Sequence, residues 1–249
     1  MKMLPDMHSH ILVHGMDAMI NGATQVGLKR ISITEHISQF KEIRNNIRFV
    51  SLHKIGTIFN NVQEYEGLFQ DANRPGISVY IGLEIDFIPS RMNEISDFVN
   101  SSKATIRNVS IHEINNRDIE SIGIVSPEMS RNTWVKYMKK QEVALEIDKL
   151  EATTLSHPVR LACSHKVVPY NIDDILENLA DRAASHEIAL EINGYDLEIA
   201  PLLVDKMARA CGEKSCKVTY GSDAHEPWGY LAGMKGAENL IKKYSLKLG

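Results

Sequence analysis

Short apolar runs rich in β-branched residues alternate along this chain with stretches whose apolar positions recur every three to four residues, the signatures of strand and helix. Strand-like runs lead from Met3-Leu4-Pro5 into Asp6–His10, then occupy Arg30–Glu35, Ser78–Asp86, Ile106–His112, Thr153–Ser156, Ile188–Asn193 and Cys216–Ser222. Helical spacing predicts Met16–Gly27, Ser51–Phe69, Met92–Ser101, Thr133–Lys149, Asp173–His186, Ile199–Cys211 and Leu231–Tyr244. The punctuation agrees with these bounds. Gly27 is placed to close the first helix, Ser51 to cap the second, and Pro75-Gly76 to turn the chain into the third strand. Residues 37–50 and Glu113–Ser130 read as polar loops.

Seven β/α units follow from this alternation, and a run of such units closes most simply as a parallel barrel. One residue per strand end (His8, His36, Glu84, His112, His157, Asn193 and Asp223) marks the succession, at separations of 28 to 48 residues. A βα unit takes about 30 residues, and the two longest separations hold the two polar loops. No linker, repeat or low-complexity run interrupts the pattern, so residues 1–249 are expected to form a single α/β barrel domain.

What sets the pattern apart is where its strands stop. His8, His10, His36, Glu84, His112, His157, Asp223 and His225 all fall at the same end of successive strands, with His14 a few residues beyond the first. Residues i and i+2 of a strand share a face, so His8 with His10, and Asp223 with His225, can each address one ion. Glu84 lies in Gly-Leu-Glu-Ile-Asp, a run too apolar for an unpaired carboxylate, since a buried charge must be paired or coordinate a metal. Singly, each histidine has an ordinary structural explanation. Seven of the ten at one rim do not. His53, His165 and His186 have no such partners and are read as structural.

Nine ligand candidates exceed the three or four protein ligands of one ion, so they fit two or three divalent ions with a bridging carboxylate. Imidazole and carboxylate without thiolate suit zinc, iron or manganese. Cys163, Cys211 and Cys216 lack zinc-motif spacing and read as reduced thiols in a cytoplasmic protein. A formal charge of -4, from 28 basic and 32 acidic residues, gives no footprint for nucleic acid or an anionic membrane. No apolar run approaches the ~18 residues of a spanning helix, and no signal peptide precedes the first ligand candidate.

The motifs Asp-Met-His-Ser-His, Ile-Thr-Glu-His, Gly-Leu-Glu-Ile-Asp-Phe-Ile-Pro, Ser-Ile-His, Ser-His-Pro, Ala-Leu-Glu-Ile-Asn and Gly-Ser-Asp-Ala-His together resemble the polymerase and histidinol phosphatase (PHP) family of metal-dependent phosphoesterases. The likeness spans essentially the whole chain, and its third motif looks most like the histidinol-phosphate phosphatase branch. It implies a distorted, TIM-like (β/α)7 barrel with the metal site at the C-terminal rim of the strands. It also implies one ion on His8, His10, Glu84 and Asp223, a second on Glu84, His112 and His157, and a third on His14, His36 and His225. Asp6 would accept a hydrogen bond from a ligand imidazole. The chain departs from the branch in three places. The loop between His10 and His14 is shorter. Gly194-Tyr195-Asp196-Leu197-Glu198 stands where a Thr-Ser-Gly-Leu-Arg stretch would bring an arginine to phosphate. Glu113 follows His112 where the branch prefers an aromatic residue.

The activity implied is hydrolysis of a small phosphomonoester, histidinol phosphate by default, with a metal-bridging water as nucleophile. Asp223, Glu84 and His225 are the residues expected at the chemistry. Arg44, Arg48, Arg117 and Arg160 are the rim arginines available to replace the missing phosphate anchor. Two rivals have other signatures. An amidohydrolase-type barrel also opens on His-x-His, but it would want a bridging lysine where Glu84 and His112 stand. A non-catalytic metal-binding PHP domain would be inert on phosphate esters.

Overall fold

The computed structural model of the protein describes residues 3–50, 58–121 and 125–249. Seven parallel strands form one sheet: β1 (Asp6–Ser9), β2 (Arg30–His36), β3 (Ser78–Asp86), β4 (Ile106–Ser110), β5 (Thr154–Leu155), β6 (Ala189–Asn193) and β7 (Val218–Gly221). They pair in chain order. The ends meet where Ser9 bridges Ala224 in parallel, His10 N–H donates to Ala224 O at 2.8 Å, and Asp223 N–H donates to His8 O at 2.9 Å. The result is a nearly closed (β/α)7 barrel with helices around it. Its seam lies on the residues that carry His8, His10 and Asp223.

Strands covered on both faces are buried almost end to end, as in β2 and β6, and that is why they read as continuous apolar runs. Along the barrel interior β2, β3 and β4 carry buried polar side chains. Register places Thr34 beside Gly82, His36 beside Glu84, and Glu84 beside Asn108. Asn108 then crosses the barrel, its Nδ2 donating to Met7 O at 3.0 Å. A Cβ on Gly82 would stand 2.5 Å from Thr34 Cγ2 and 2.6 Å from Ser32 Oγ, so only glycine fits at that point of the interior.

Outside the barrel, Met19, Ile20 and Ala23 of helix Gly15–Gln25 and Leu176, Leu179, Ala180 and Ala183 of helix Ile172–Ser185 are buried at helical spacing. The helix Pro127–Leu145 begins with Ser126 accepting from Met129 N–H at 3.2 Å and proline in its first turn. It also braces the fifth strand's loop from behind. Tyr137 donates its hydroxyl to His157 O at 3.1 Å, and Gln141 Nε2 donates to Pro158 O at 2.9 Å.

Several elements differ from their expected bounds. Ser51 and the first turns of the expected second helix lie outside the described residues. Beyond them the helix is only Val62–Gly67, started by Asn61 Oδ1 accepting from Glu64 N–H at 2.9 Å. Residues 37–50 are no simple loop: Ile37–Gln39 is a 3₁₀ turn, Lys41–Arg44 a short helix, and Ile37, Phe40, Ile43, Ile47 and Phe49 are buried. Glu113–Ile114 pairs antiparallel with Arg117–Asp118 in a segment expected to be irregular. The helix expected at Thr133–Lys149 starts six residues earlier, because Ser126-Pro127 is its cap. The one expected at Ile199–Cys211 is two, Gly194–Ile199 and Pro201–Lys214, divided where Pro201 cannot continue a helix.

Replacing Gly82 by alanine is expected to lower the free energy of unfolding by about 1–3 kcal/mol through overpacking. Denaturant titration measures it, and an unchanged midpoint would contradict the packing described for the interior.

Candidate metal centre

Each strand delivers its polar residue to the same rim. His8 lies within β1 and His10 just beyond it. His36 ends β2, and Glu84 and Asp86 close β3. His112 and His157 each stand two residues past their strands, and Asp223 and His225 follow β7. Two of these sit in strained backbone: His157 at φ 33° and Asp223 at φ 59°, a left-handed region that non-glycine residues rarely adopt.

The side chains converge on Glu84, which is 1 % exposed. Its Oε2 lies 3.2 Å from His8 Nε2, 3.4 Å from His10 Nε2 and 2.9 Å from His36 Nδ1. Its Oε1 lies 3.1 Å from His112 Nε2 and 2.8 Å from His157 Nε2. Asp223 Oδ1 completes the near side, 3.4 Å from His10 Nε2 and 3.8 Å from His8 Nε2. Donors around a tetrahedral zinc, bound at about 2.0–2.1 Å, stand ~3.3–3.4 Å apart. His8, His10, Glu84 and Asp223 are therefore spaced as one ion's ligands. His10 is buried with its Nε2 at 3.4 Å from both Glu84 Oε2 and Asp223 Oδ1, and among the described residues its Nδ1 has no hydrogen-bond partner. The donor set and the spacing fit a divalent metal.

Ring stacking marks out a further group. His10 stacks on His36 at 4.6 Å and on His225 at 4.4 Å, and all three offer ligand atoms within 4.8 Å of one another. His14, expected with His36 and His225, lies elsewhere: it is exposed at the start of helix Gly15–Gln25, with its ring edge against Trp228 at 5.4 Å. His10 holds the place beside the other two.

Outside the ring of ligand candidates stands a layer of carboxylates that spacing alone did not single out. Glu191 Oε1 accepts from His8 Nδ1 at 2.8 Å, and its Oε2 accepts from His157 N–H at 2.7 Å. Asp86 Oδ1 does the same for His112 Nδ1 at 2.7 Å. These contacts turn Nε2 of both imidazoles inward. Asp6, expected to serve an imidazole, instead accepts the backbone N–H groups of His8 at 3.2 Å and Ser222 at 3.0 Å, so it fixes the seam rather than a ring. Burial pushes its carboxyl up to about 7 despite those bonds.

The four rim arginines separate clearly. Arg44 and Arg48 line a hollow with Asn45, Asn46 and Phe49, and Arg117 is exposed on the antiparallel ribbon. Arg160 is buried, and its Nη2 donates to Asp223 Oδ2 at 2.7 Å. Of His53, His165 and His186, the first lies outside the described residues. The ring of His165 meets Ser164 Oγ at 2.8 Å, and His186 is exposed.

The electrostatics follow from this crowding. Burial would raise the Glu84 carboxyl, but the imidazoles of His36, His8 and His112 outweigh it and hold it well below the ordinary carboxylate range. Burial would lower His8, yet Glu191, Glu84 and Asp223 hold it well above its ordinary value. His10 goes the other way, to about 3, through burial reinforced by His225. Asp223 is likewise kept low by Arg160 and His8 against its burial.

The PHP domain model matches residues 6–194. No curated protein sequence matches the chain. Among solved structures, a histidinol phosphate phosphatase of Lactococcus lactis subsp. lactis, determined with zinc, L-histidinol and phosphate, aligns at TM-score 0.76 and 21% identity over 99% of this chain and 95% of its own. A protein of Listeria monocytogenes assigned as a histidinol phosphatase aligns at TM-score 0.73 and 15% identity over 93% and 99%. At these identities the likeness is one of fold. Among the described residues, no helix is long and apolar enough to cross a membrane.

Glu191→Gln keeps the shape of the carboxylate that orients His8 and removes its charge. It is expected to weaken metal binding about 10–100-fold, while His14→Ala leaves it unchanged. Metal titration against a chelating indicator reads both. Equal losses, or none at Glu191, would contradict the assignment.

Proposed function

The chain belongs to the PHP family, and on that premise we propose that it is a metal-dependent phosphomonoester hydrolase of the histidinol-phosphatase kind. The observation that carries this reading is Glu84, a buried carboxylate with five imidazole nitrogens within 3.4 Å. Such a set is costly to fold around nothing, because each buried imidazole and carboxylate must be compensated.

One ion would be held by His8, His10, Glu84 and Asp223, a second by Glu84, His112 and His157, and a third by His36 and His225, against which His10 stacks. Bound divalent ions supply an activated water and neutralise charge on the phosphoryl group. The chain's own residues do the rest. Glu84 bridges the two halves of the site and fixes its spacing. Glu191 and Asp86 hold the imidazoles so that the inward nitrogens carry lone pairs. Asp223, with one oxygen toward His8 and His10 and the other on Arg160, is placed to take a proton from the attacking water. His225, 40% exposed, stands at the mouth of the site with its Nδ1 donating to Asp223 O at 2.9 Å.

Arg160 is the arginine we assign to the phosphoryl group in place of the branch's missing one. The departure at Gly194–Glu198 explains its position. Asp196, within that segment, accepts from Arg160 Nε at 2.6 Å, so the cation arrives from the segment after β5 and is held by the helix after β6. A small phosphorylated substrate fits this rim, with the L-histidinol ester as the first compound to try.

Phosphate release from L-histidinol phosphate beside a generic aryl phosphate, with Mn²⁺, Zn²⁺ and Fe²⁺ in turn, tests the proposal. Release is expected to be faster from the former, abolished by chelation, and reduced at least about 100-fold by Asp223→Asn. No release from any ester with any of the three metals would overturn it.

A further inference from the structure

Arg160 faces more carboxylates than it needs. Its Nε donates to Asp196 Oδ1 at 2.6 Å, its Nη2 to Asn193 Oδ1 at 3.0 Å and to Asp223 Oδ2 at 2.7 Å, and its Nη1 to Glu120 Oε1 at 2.9 Å. The Tyr195 ring stacks with the guanidinium, 4.9 Å from its carbon. Three carboxylates thus share one positive charge, and they are not equivalent. Asp196 and Asp223 are 1% and 9% exposed, whereas Glu120 is 45% exposed.

The first two belong to the architecture. Asp196 N–H is capped by Asn193 Oδ1 at 3.1 Å, and Asp223 is a member of the metal cluster. Glu120 sits on the solvent side, yet its backbone is firmly tied. Its own N–H donates to Asp118 Oδ1 at 2.7 Å, Ile119 N–H donates to His112 O at 3.0 Å, and Ser164 Oγ donates to Ile119 O. A hydrogen-bonded backbone therefore presents a solvent-side carboxylate to Arg160 Nη1, which among the described residues has no hydrogen bond to the interior. A carboxylate oxygen and a phosphoryl oxygen accept from a guanidinium in the same geometry.

We propose that Glu120 holds Arg160 Nη1 in place of a phosphoryl oxygen, and swings away when the phosphoester or its phosphate product binds. The inference rests on the phosphatase reading above. Glu120 is then a built-in competitor for the anion. It keeps Arg160 neutralised and aligned while no substrate is present, and it weakens retention of the phosphate product. No bond is made or broken in the exchange, only one acceptor for another.

Calorimetric titration of inorganic phosphate into the metal-loaded protein tests this, with Glu120→Ala compared to Glu113→Ala. Glu113 is a second acid of the same rim segment, paired with Lys140 at 3.7 Å, and its removal changes net charge equally. Glu120→Ala is expected to tighten phosphate binding about two- to fivefold, the worth of a part-exposed ion pair, and to lower KM for the ester in step. Glu113→Ala is expected to leave both unchanged. Unchanged or weaker phosphate binding in Glu120→Ala, or equal tightening in Glu113→Ala, overturns the inference while ester hydrolysis still upholds the phosphatase reading. Absence of both phosphate binding and hydrolysis in the unaltered protein overturns the two together.

Discussion

Glu84 is a carboxylate in a place where burial alone would keep it protonated, and the rest of the rim is arranged so that it is not. Four strands and the loops at their ends bring five imidazoles to within 3.4 Å of its two oxygens. The barrel register makes this possible. β2 and β3 pair so that His36 lies beside Glu84, and the seam between β1 and the segment after β7 sets His8 and His10 opposite Asp223. A shift of one residue in any of these pairings would turn the side chain to the other face of the sheet.

Charge is then balanced in layers. Within the ring, imidazoles outnumber carboxylates. Around it, Glu191 and Asp86 accept from the outward nitrogens of His8 and His112, and Arg160 answers Asp223. Two ring members, His157 and Asp223, adopt left-handed backbone. That strain persists only because neighbours over-determine it: Tyr137 on His157 O, Glu191 on His157 N–H, His8 O on Asp223 N–H. Fold and site are stabilised by the same hydrogen bonds. The helix Pro127–Leu145 and the barrel seam therefore belong to the function as much as the ligand candidates do.

Much of this was legible in the sequence, because a side chain at a strand end reports where it points. His8, His10, His36, His112, His157, Asp223 and His225 were placed by strand runs alone, and Glu84 by the cost of burying a carboxylate among apolar neighbours. The same cost applied to Glu191 in Ala-Leu-Glu-Ile-Asn would have found it. Asp86, two residues after Glu84, shares its face. His14 was harder. It lies in a turn, where spacing says nothing about direction, and the structure points it at Trp228 instead. Arg160 and Asp196 meet only through tertiary structure, as do Arg160 and Glu120, and no periodicity connects loops so far apart in the chain. The segment 37–50 looked polar because its apolar residues, Ile37, Phe40, Ile43, Ile47 and Phe49, are separated by charged and amide side chains; they are nonetheless core.

The proposed function has Glu84 shared between metal ions. Metal stoichiometry of the purified protein and of Glu84→Gln, by elemental analysis after equilibration with Zn²⁺ or Mn²⁺, tests it most directly. Two or three ions per chain are expected in the first and loss of at least one in the second, since the amide keeps the shape but not the bridging charge. Equal stoichiometry in the two proteins, or no bound metal in the first, would contradict it.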